Sequence, residues 1–183
     1  LRRHGVDTGG VHFVPGRMGL YFLAPGAVLR PSGVTYDRAG SAFAAAAPDM
    51  VDWETALAGA AWLHVSGVTP AVGPLAAQAA IRAVREARRL GVKVSFDGNF
   101  RATMWAAWKG DAPGILRSIF ECADIAFADE RDIGLVLGSD YSQGTVEDRR
   151  RRAGDAAFKA FPNLQRLAAT VRIHQGVDQQ ELS

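Results

Sequence analysis

The sequence predicts an α/β fold with a mainly parallel central sheet and a small β segment ahead of it. Strand-like and helix-like stretches alternate from residue 62 onward, the pattern of crossover units over a parallel sheet. A long amphipathic stretch, 74–90, separates two apolar runs, so those runs should pair in parallel through a right-handed connection. A chain of 183 residues, 48% hydrophobic and 22% charged, can bury one sizeable core, so one domain or part of one is expected.

The opening residues read as the last turn of a helix: Arg2, Arg3 and His4 bring cations to a helix C-terminus, and Gly5 ends it. Short β segments are expected over 11–14, 17–23 and 33–38, punctuated by Pro15-Gly16, Pro25-Gly26 and Pro31-Ser32-Gly33. Such a meander is too thin to hold its own core and must lie against something or act as a flap. Residues 52–57 read as a short helix capped by Asp52, 62–66 as a strand and 67–70 as a turn. Pro74 then opens a helix that reaches Leu90 and is stopped by Gly91. Ala77, Ala80, Ile81, Val84 and Ala87 form its inward stripe, while Arg82, Arg85, Arg88 and Arg89 stay wet. In the strand that follows, Val92, Val94 and Phe96 alternate with Lys93, Ser95 and Asp97. Beyond it, helices are expected over 112–122, 129–137 and 145–161, and strands over 125–128 and 166–171.

The central strand ends in polar chemistry. Asp97, Asn99 and Arg101 follow at every second position where an apolar strand should run out into a loop, and Gly98 removes bulk between the first two. Ligands of open α/β sheets bind at this carboxyl edge, which places a candidate site here. The alternative is that Asp97 and Asn99 cap the next turn and Arg101 pairs with a surface carboxylate. Tyr36 and Arg38 share a face of one expected strand, and Tyr21 lies on its neighbour. Together they offer one cation and two phenol hydroxyls to a small anionic ligand, although the same trio also suits an ordinary exposed sheet face.

Other chemistries are set aside. A net charge of +2 implies no nucleic-acid partner, and the basic run Arg149, Arg150, Arg151 and Arg152 follows Glu147 and Asp148 as on a solvated helix face. Cys122 is the only cysteine, which excludes an internal disulfide and favours a reducing compartment. No apolar run reaches the length of a membrane span and residues 1–10 carry no secretory pattern, so a cytoplasmic protein is expected. His4, His12, His64 and His174 are too scattered for a metal cluster, and neither a Gly-rich phosphate loop nor a nucleophile elbow is present. His64 reads as a satisfied core histidine, and Trp53, Trp62, Trp105 and Trp108 as packing residues.

Five collinear segments carry a resemblance: G-R-M-G-L-Y at 16–21, V-T-Y-D-R-A-G-S-A at 34–42, L-H-V-S-G-V-T-P-A at 63–71, S-F-D-G-N-F-R at 95–101 and A-D-I-A-F-A-D-E-R-D-I-G-L-V-L-G at 123–138. Together they resemble the ribokinase-like (PfkB) carbohydrate kinases, and within them the kinases of 2-keto-3-deoxygluconate. The resemblance implies a three-layer α/β sandwich with a small β lid over the sugar, residues 11–40 being the lid segment and 41–183 a partial kinase core. It implies transfer of the γ-phosphate of ATP, with Mg2+, to the terminal hydroxyl of 2-keto-3-deoxygluconate. The substrate residues it implies are Tyr21, Tyr36, Asp37, Arg38, Val68, Asp97 and Arg101, with Arg101 also stabilising charge in catalysis. The nucleotide would meet Asn99, Phe100, Arg101 and Asp129.

The family's N-x-x-E motif, which organises magnesium and phosphates through water, falls on Asp129 and Asp132. Here Asp replaces Asn, which adds a charge, and Asp replaces Glu, which shortens the reach. The family's segment bearing the catalytic base and its amino-terminal strand have no counterpart, so the chain is expected to be a middle part of a longer kinase, incomplete at both ends. Subunit pairing through the lid is a further implication. Three other readings stay open: a kinase of the same fold for fructose, ribose or a nucleoside, a sugar-acid-binding domain without transfer chemistry, and a structural α/β fragment with no ligand.

Overall fold

A computed structural model describes residues 1–27 and 30–170, and the backbone of 172–174 and 180–182. A turn of 3-10 helix at Arg2–His4 is ended by Gly5 in the left-handed region, φ 76°, as expected. Two antiparallel strands follow, β1 (Leu20–Ala24) and β2 (Gly33–Asp37), with Tyr21 opposite Tyr36 and Leu23 opposite Val34. No strand forms over 11–14, where the meander was expected to begin. The second expected segment enters late, because Arg17 makes only an isolated bridge to Ser41. A two-stranded ribbon holds no core of its own, and Phe22 and Leu23 remain more than half exposed.

Two single-turn helices come next. Ser41 caps α1 (Ala42–Ala45) and Asp52 caps α2 (Trp53–Ala56), its carboxylate accepting from the backbone N–H groups of Glu54 and Thr55. The alternation then runs β3 (Trp62–Ser66), α3 (Val68–Ala71), α4 (Pro74–Arg89), β4 (Lys93–Asp97), α5 (Ala102–Trp108), α6 (Ala112–Phe120), β5 (Ile125–Phe127), α7 (Glu130–Leu137), α8 (Val146–Ala160) and β6 (Arg166–Ala168). Four strands form one sheet in the order β3-β4-β5-β6, all parallel. A small antiparallel pair, β7 (Arg172–His174) and β8 (Gln180–Leu182), closes the described backbone. The expected end of the last strand at Val171 lies outside the described residues.

Several sequence expectations are corrected. Residues 67–70 form not a turn but the start of α3. Helix α5 was not expected. Its N-cap is Arg101, which makes no side-chain cap, so the sequence carries no start signal there. His64 is exposed rather than buried: β3 is the end strand among the described residues, and His64 shares the outer face with Trp62 while Val65 points inward. Its ring Nδ1 lies 3.1 Å from Ser95 Oγ. Trp62 is likewise 44% exposed, so only Trp105 among the tryptophans is fully packed. Ile81 is half-buried at the margin of the α4 stripe, whose small residues Ala76, Ala77, Ala80, Ala83 and Ala87 let the helix sit close. The basic run on α8 divides: Arg151 and Arg152 are exposed, but Arg149 and Arg150 are half-buried against Glu130 at the start of α7.

The core gathers between the sheet and helices α4, α6, α7 and α8. Val94 and Phe96 of β4 are fully buried. Phe96 meets Phe120 edge-on at 5.1 Å, and Phe120 stacks on Phe161 at 5.2 Å, arrangements worth about 0.5–1.5 kcal/mol each beyond the area they bury. This rigid layer fixes where β3, β4 and β5 end, and the candidate site sits at those ends.

Candidate functional site

The carboxyl ends of β3 and β4 are pulled together by two glycines. Gly67 N–H donates to the Asp97 carbonyl at 2.7 Å, and a Cβ on Gly67 would fall 1.9 Å from the Gly98 carbonyl oxygen. Gly98 N–H in turn donates to the Phe127 carbonyl at 2.9 Å, which ties the loop to β5. Asn99 takes φ 37°, the left-handed region that Asn tolerates better than most residues, and its amide donates to Ser66 Oγ at 3.3 Å. Backbone strain at a ligand-facing edge is a common signature of a site held in one geometry.

Around this loop the structure forms two clefts. The wider, about 950 Å3, is lined by Asp97, Asn99, Phe100, Arg101, Asp129, Arg131, Asp132 and Thr170. The narrower, about 270 Å3, is lined by Tyr21, Tyr36, Arg38, Ser41, Phe43, Val68 and Thr69. Arg38 lies 4.0 Å over the Tyr36 ring, and the Tyr21 and Tyr36 rings are 6.4 Å apart across the strand pair. Arg38 and Arg101, both among the substrate residues that the resemblance implies, do not line the same cleft: each lines its own. They are linked through α5, because Arg38 reaches Met104 Sδ at 3.4 Å, one turn along the helix that Arg101 begins.

Asp37 is not brought to either cleft. Strand alternation turns it away from Tyr36 and Arg38, and Arg17 takes its carboxylate with two hydrogen bonds, at 2.9 and 2.5 Å. Arg17 is among the contributors that sequence reasoning missed, as are Ser66, Met104, Arg131 and Thr170. Only Arg131 carried a local signal, being inside the 129–132 motif.

Asp129 and Asp132 form a capping box at the start of α7: Asp129 accepts from the Arg131 and Asp132 N–H groups, and Asp132 accepts from the Asp129 N–H. Burial works to raise the Asp129 carboxyl, but the Arg131 guanidinium and the two backbone donors outweigh it and hold it below the ordinary aspartate value. Asp132 moves the other way. Burial, reinforced by the nearby Asp129 and Asp97 carboxylates, pushes it up despite the Asp129 N–H.

Because its folded-state value is raised, Asp132 contributes stability that is present below pH 3.8 and lost as pH rises through that higher value. Asp132→Asn keeps an acceptor for the cap and removes the charge. Its melting temperature is expected to match the parent at acidic pH and exceed it increasingly toward neutral pH; a variant less stable at pH 7 than the parent would contradict the assignment. A half-buried carboxylate carrying that penalty suits a cation. Among the described residues no three His, Cys, Asp or Glu side chains enclose a metal. Asp129 and Asp132 are hard oxygen donors on the border of the wider cleft, of the kind that Mg2+ takes one or two at a time beside water and phosphate.

No protein-family model matches the chain. A 2-dehydro-3-deoxygalactonokinase of Haloferax volcanii is 33% identical over 159 residues, which are 87% of this chain and 48% of that protein. Among solved structures, a PfkB family carbohydrate kinase from Listeria grayi superposes with a TM-score of 0.83 at 31% identity, over 99% of this chain and 54% of its own. The 2-dehydro-3-deoxygluconokinase of Thermotoga maritima gives 0.82 at 32% identity, over 99% and 57%. The chain thus spans about half the length of these relatives. Among the described residues no helix is long and apolar enough to cross a membrane. With backbone and sequence in agreement over nearly its whole length, this chain belongs to the PfkB-type carbohydrate kinases and is similar to kinases of both 2-dehydro-3-deoxygluconate and 2-dehydro-3-deoxygalactonate.

Proposed function

We propose that the full-length protein transfers the γ-phosphate of ATP to the terminal hydroxyl of a 2-keto-3-deoxy sugar acid, 2-keto-3-deoxygluconate being the first candidate. The observation that carries this reading is the Arg38–Tyr36 stack at 4.0 Å with Tyr21 across the ribbon, a cation and two hydroxyls facing one narrow cleft. A guanidinium so held would pair with the substrate carboxylate, and residues 11–40 would close over the sugar as a lid. In the wider cleft, Asn99, Phe100, Arg101 and Asp129 would border the nucleotide, and Asp97 would meet the reacting end of the sugar. Arg101 would neutralise charge on the phosphoryl group in flight, the contribution on which phosphoryl transfer depends. Asp129 and Asp132 would hold Mg2+ through water, and that ion supplies charge neutralisation on the phosphates. Pairing of subunits through the lid belongs to the same reading.

The relatives divide between gluconate and galactonate derivatives, acids with the same carboxylate and keto group. Arg38 can therefore select acid over neutral sugar but cannot separate the two acids. Side-by-side phosphorylation of both acids, fructose and ribose by the full-length protein tests the assignment; a preference for a neutral sugar would defeat it. Arg38→Ala is expected to raise the Michaelis constant for the acid by roughly ten- to hundredfold, the worth of one charge-assisted hydrogen bond. Arg101→Ala is expected chiefly to lower turnover. Equal small effects from both would remove these roles. The separation of Arg38 and Arg101 into two clefts favours, as a second reading, an acid-binding domain without transfer. Calorimetric binding of the acid by a protein with no turnover would select it.

A further inference from the structure

Arg150 does not line the wide cleft but a neighbouring one that shares Asp129, Arg131 and Thr170 with it. Its Nη2 donates to the Thr170 carbonyl at 3.0 Å, and its Nε, which has no hydrogen-bond partner, faces Glu130 Oε2 at an ion-pair distance of 4.0 Å. Glu130 directly follows Asp129 at the start of α7, and Thr170 lies two residues beyond the end of β6, so the two contacts reach the segments that leave the neighbouring strands β5 and β6, where Asp129 and Thr170 line the cleft. The Glu130 side chain is only 14% exposed, and the guanidinium combines one hydrogen bond, to Thr170, with a charge held against that carboxylate. Arg149 provides an internal comparison: it pairs with Glu130 Oε1 at 3.3 Å and is buried to a similar degree, but the bond to Thr170 belongs to Arg150.

We infer that Arg150 is a positioning residue that sets the spacing between the Asp129 and Thr170 walls, and through it the affinity for the triphosphate. This rests on the proposed nucleotide role of that cleft. The last sheet bond between the two segments runs from the Ala128 N–H to the Ala168 carbonyl at 2.9 Å, and Arg150 adds a side-chain link beyond it, between the start of α7 and the exit of β6. Loss of the tie lets the Thr170 wall move relative to Asp129, so phosphate contacts made by both walls at once weaken together, whereas the narrow cleft with Arg38 is untouched.

The test is calorimetric titration of the full-length protein with MgATP, together with Michaelis constants for the sugar acid and melting temperatures. Arg150→Met is expected to weaken MgATP about tenfold, the loss of one charge-assisted hydrogen bond, and to leave the Michaelis constant for the acid unchanged. Arg149→Met should lower the melting temperature comparably with no change in MgATP affinity. Arg150→Lys, which can satisfy one oxygen but not both, should fall between parent and Arg150→Met; it decides the matter if Arg150→Met does not fold. Equal weakening by Arg149→Met and Arg150→Met, or parental affinity in a folded Arg150→Met or Arg150→Lys, overturns the inference. A parent protein that binds MgATP but phosphorylates no sugar acid fails the proposed function alone, and one that binds no MgATP fails both.

Discussion

Gly67→Ala is expected to destabilise the fold by about 1–3 kcal/mol, the usual range for overpacking, and to reduce turnover by displacing the loop at 98–101. The added Cβ would lie 1.9 Å from the Gly98 carbonyl oxygen, a backbone atom whose neighbours are hydrogen-bonded to β5, so no flexible side chain can give way. Denaturant unfolding at constant slope measures the first effect. Gly154→Ala supplies the control. Nothing lies within 4 Å of that position in α8, and replacing a mid-helix glycine there should stabilise by up to about 1 kcal/mol. If the two substitutions behave alike, the close approach of the β3 and β4 loops is wrong.

Asp124→Ala is expected to lose about 3 kcal/mol, the lower part of the range for breaking a buried ion pair, because Arg88 keeps some exposure. Asp124 is 4% exposed and sits at the opposite end of the sheet from the clefts. Its carboxylate accepts from the Val94 N–H at 2.8 Å and from Arg88 at 3.1 Å, and Arg88 goes on to Asn163 at 2.7 Å. Removing the carboxylate orphans a buried strand N–H and releases the cation that holds α4 to the entrance of β6. Arg88→Met, which leaves the Val94 bond intact, should lose less. A loss under about 1 kcal/mol for Asp124→Ala would show that water replaces the carboxylate. Neither change should alter the Michaelis constant for the sugar acid.

Much of this architecture was legible because local chemistry and tertiary packing agree. Pro74 and Gly91 bracket α4, Asp52 and Thr145 cap their helices, and the alternation of Val94 and Phe96 with Lys93 and Ser95 survives as an inward and an outward face. The legibility failed where no local signal existed. Helix α5 starts at Arg101 without a capping side chain and forms because Trp105 is buried against the core and Trp108 donates to the Ala71 carbonyl at 3.1 Å. His64 looked internal because its neighbours are apolar, but exposure depends on whether a further strand or layer covers β3.

The sequence by itself determined the strand that ends in Asp97, Asn99 and Arg101, and the pairing of Tyr36 and Arg38 on one face, since a period of two fixes side without any knowledge of neighbours. Only the tertiary structure decided that these residues line two clefts, that Arg17 draws Asp37 away, and that Arg150 spans from Glu130 to Thr170. Those outcomes depend on distances between segments far apart in the chain. Such distances are set by how helices of given bulk pack on the sheet, and no spacing along the sequence encodes them.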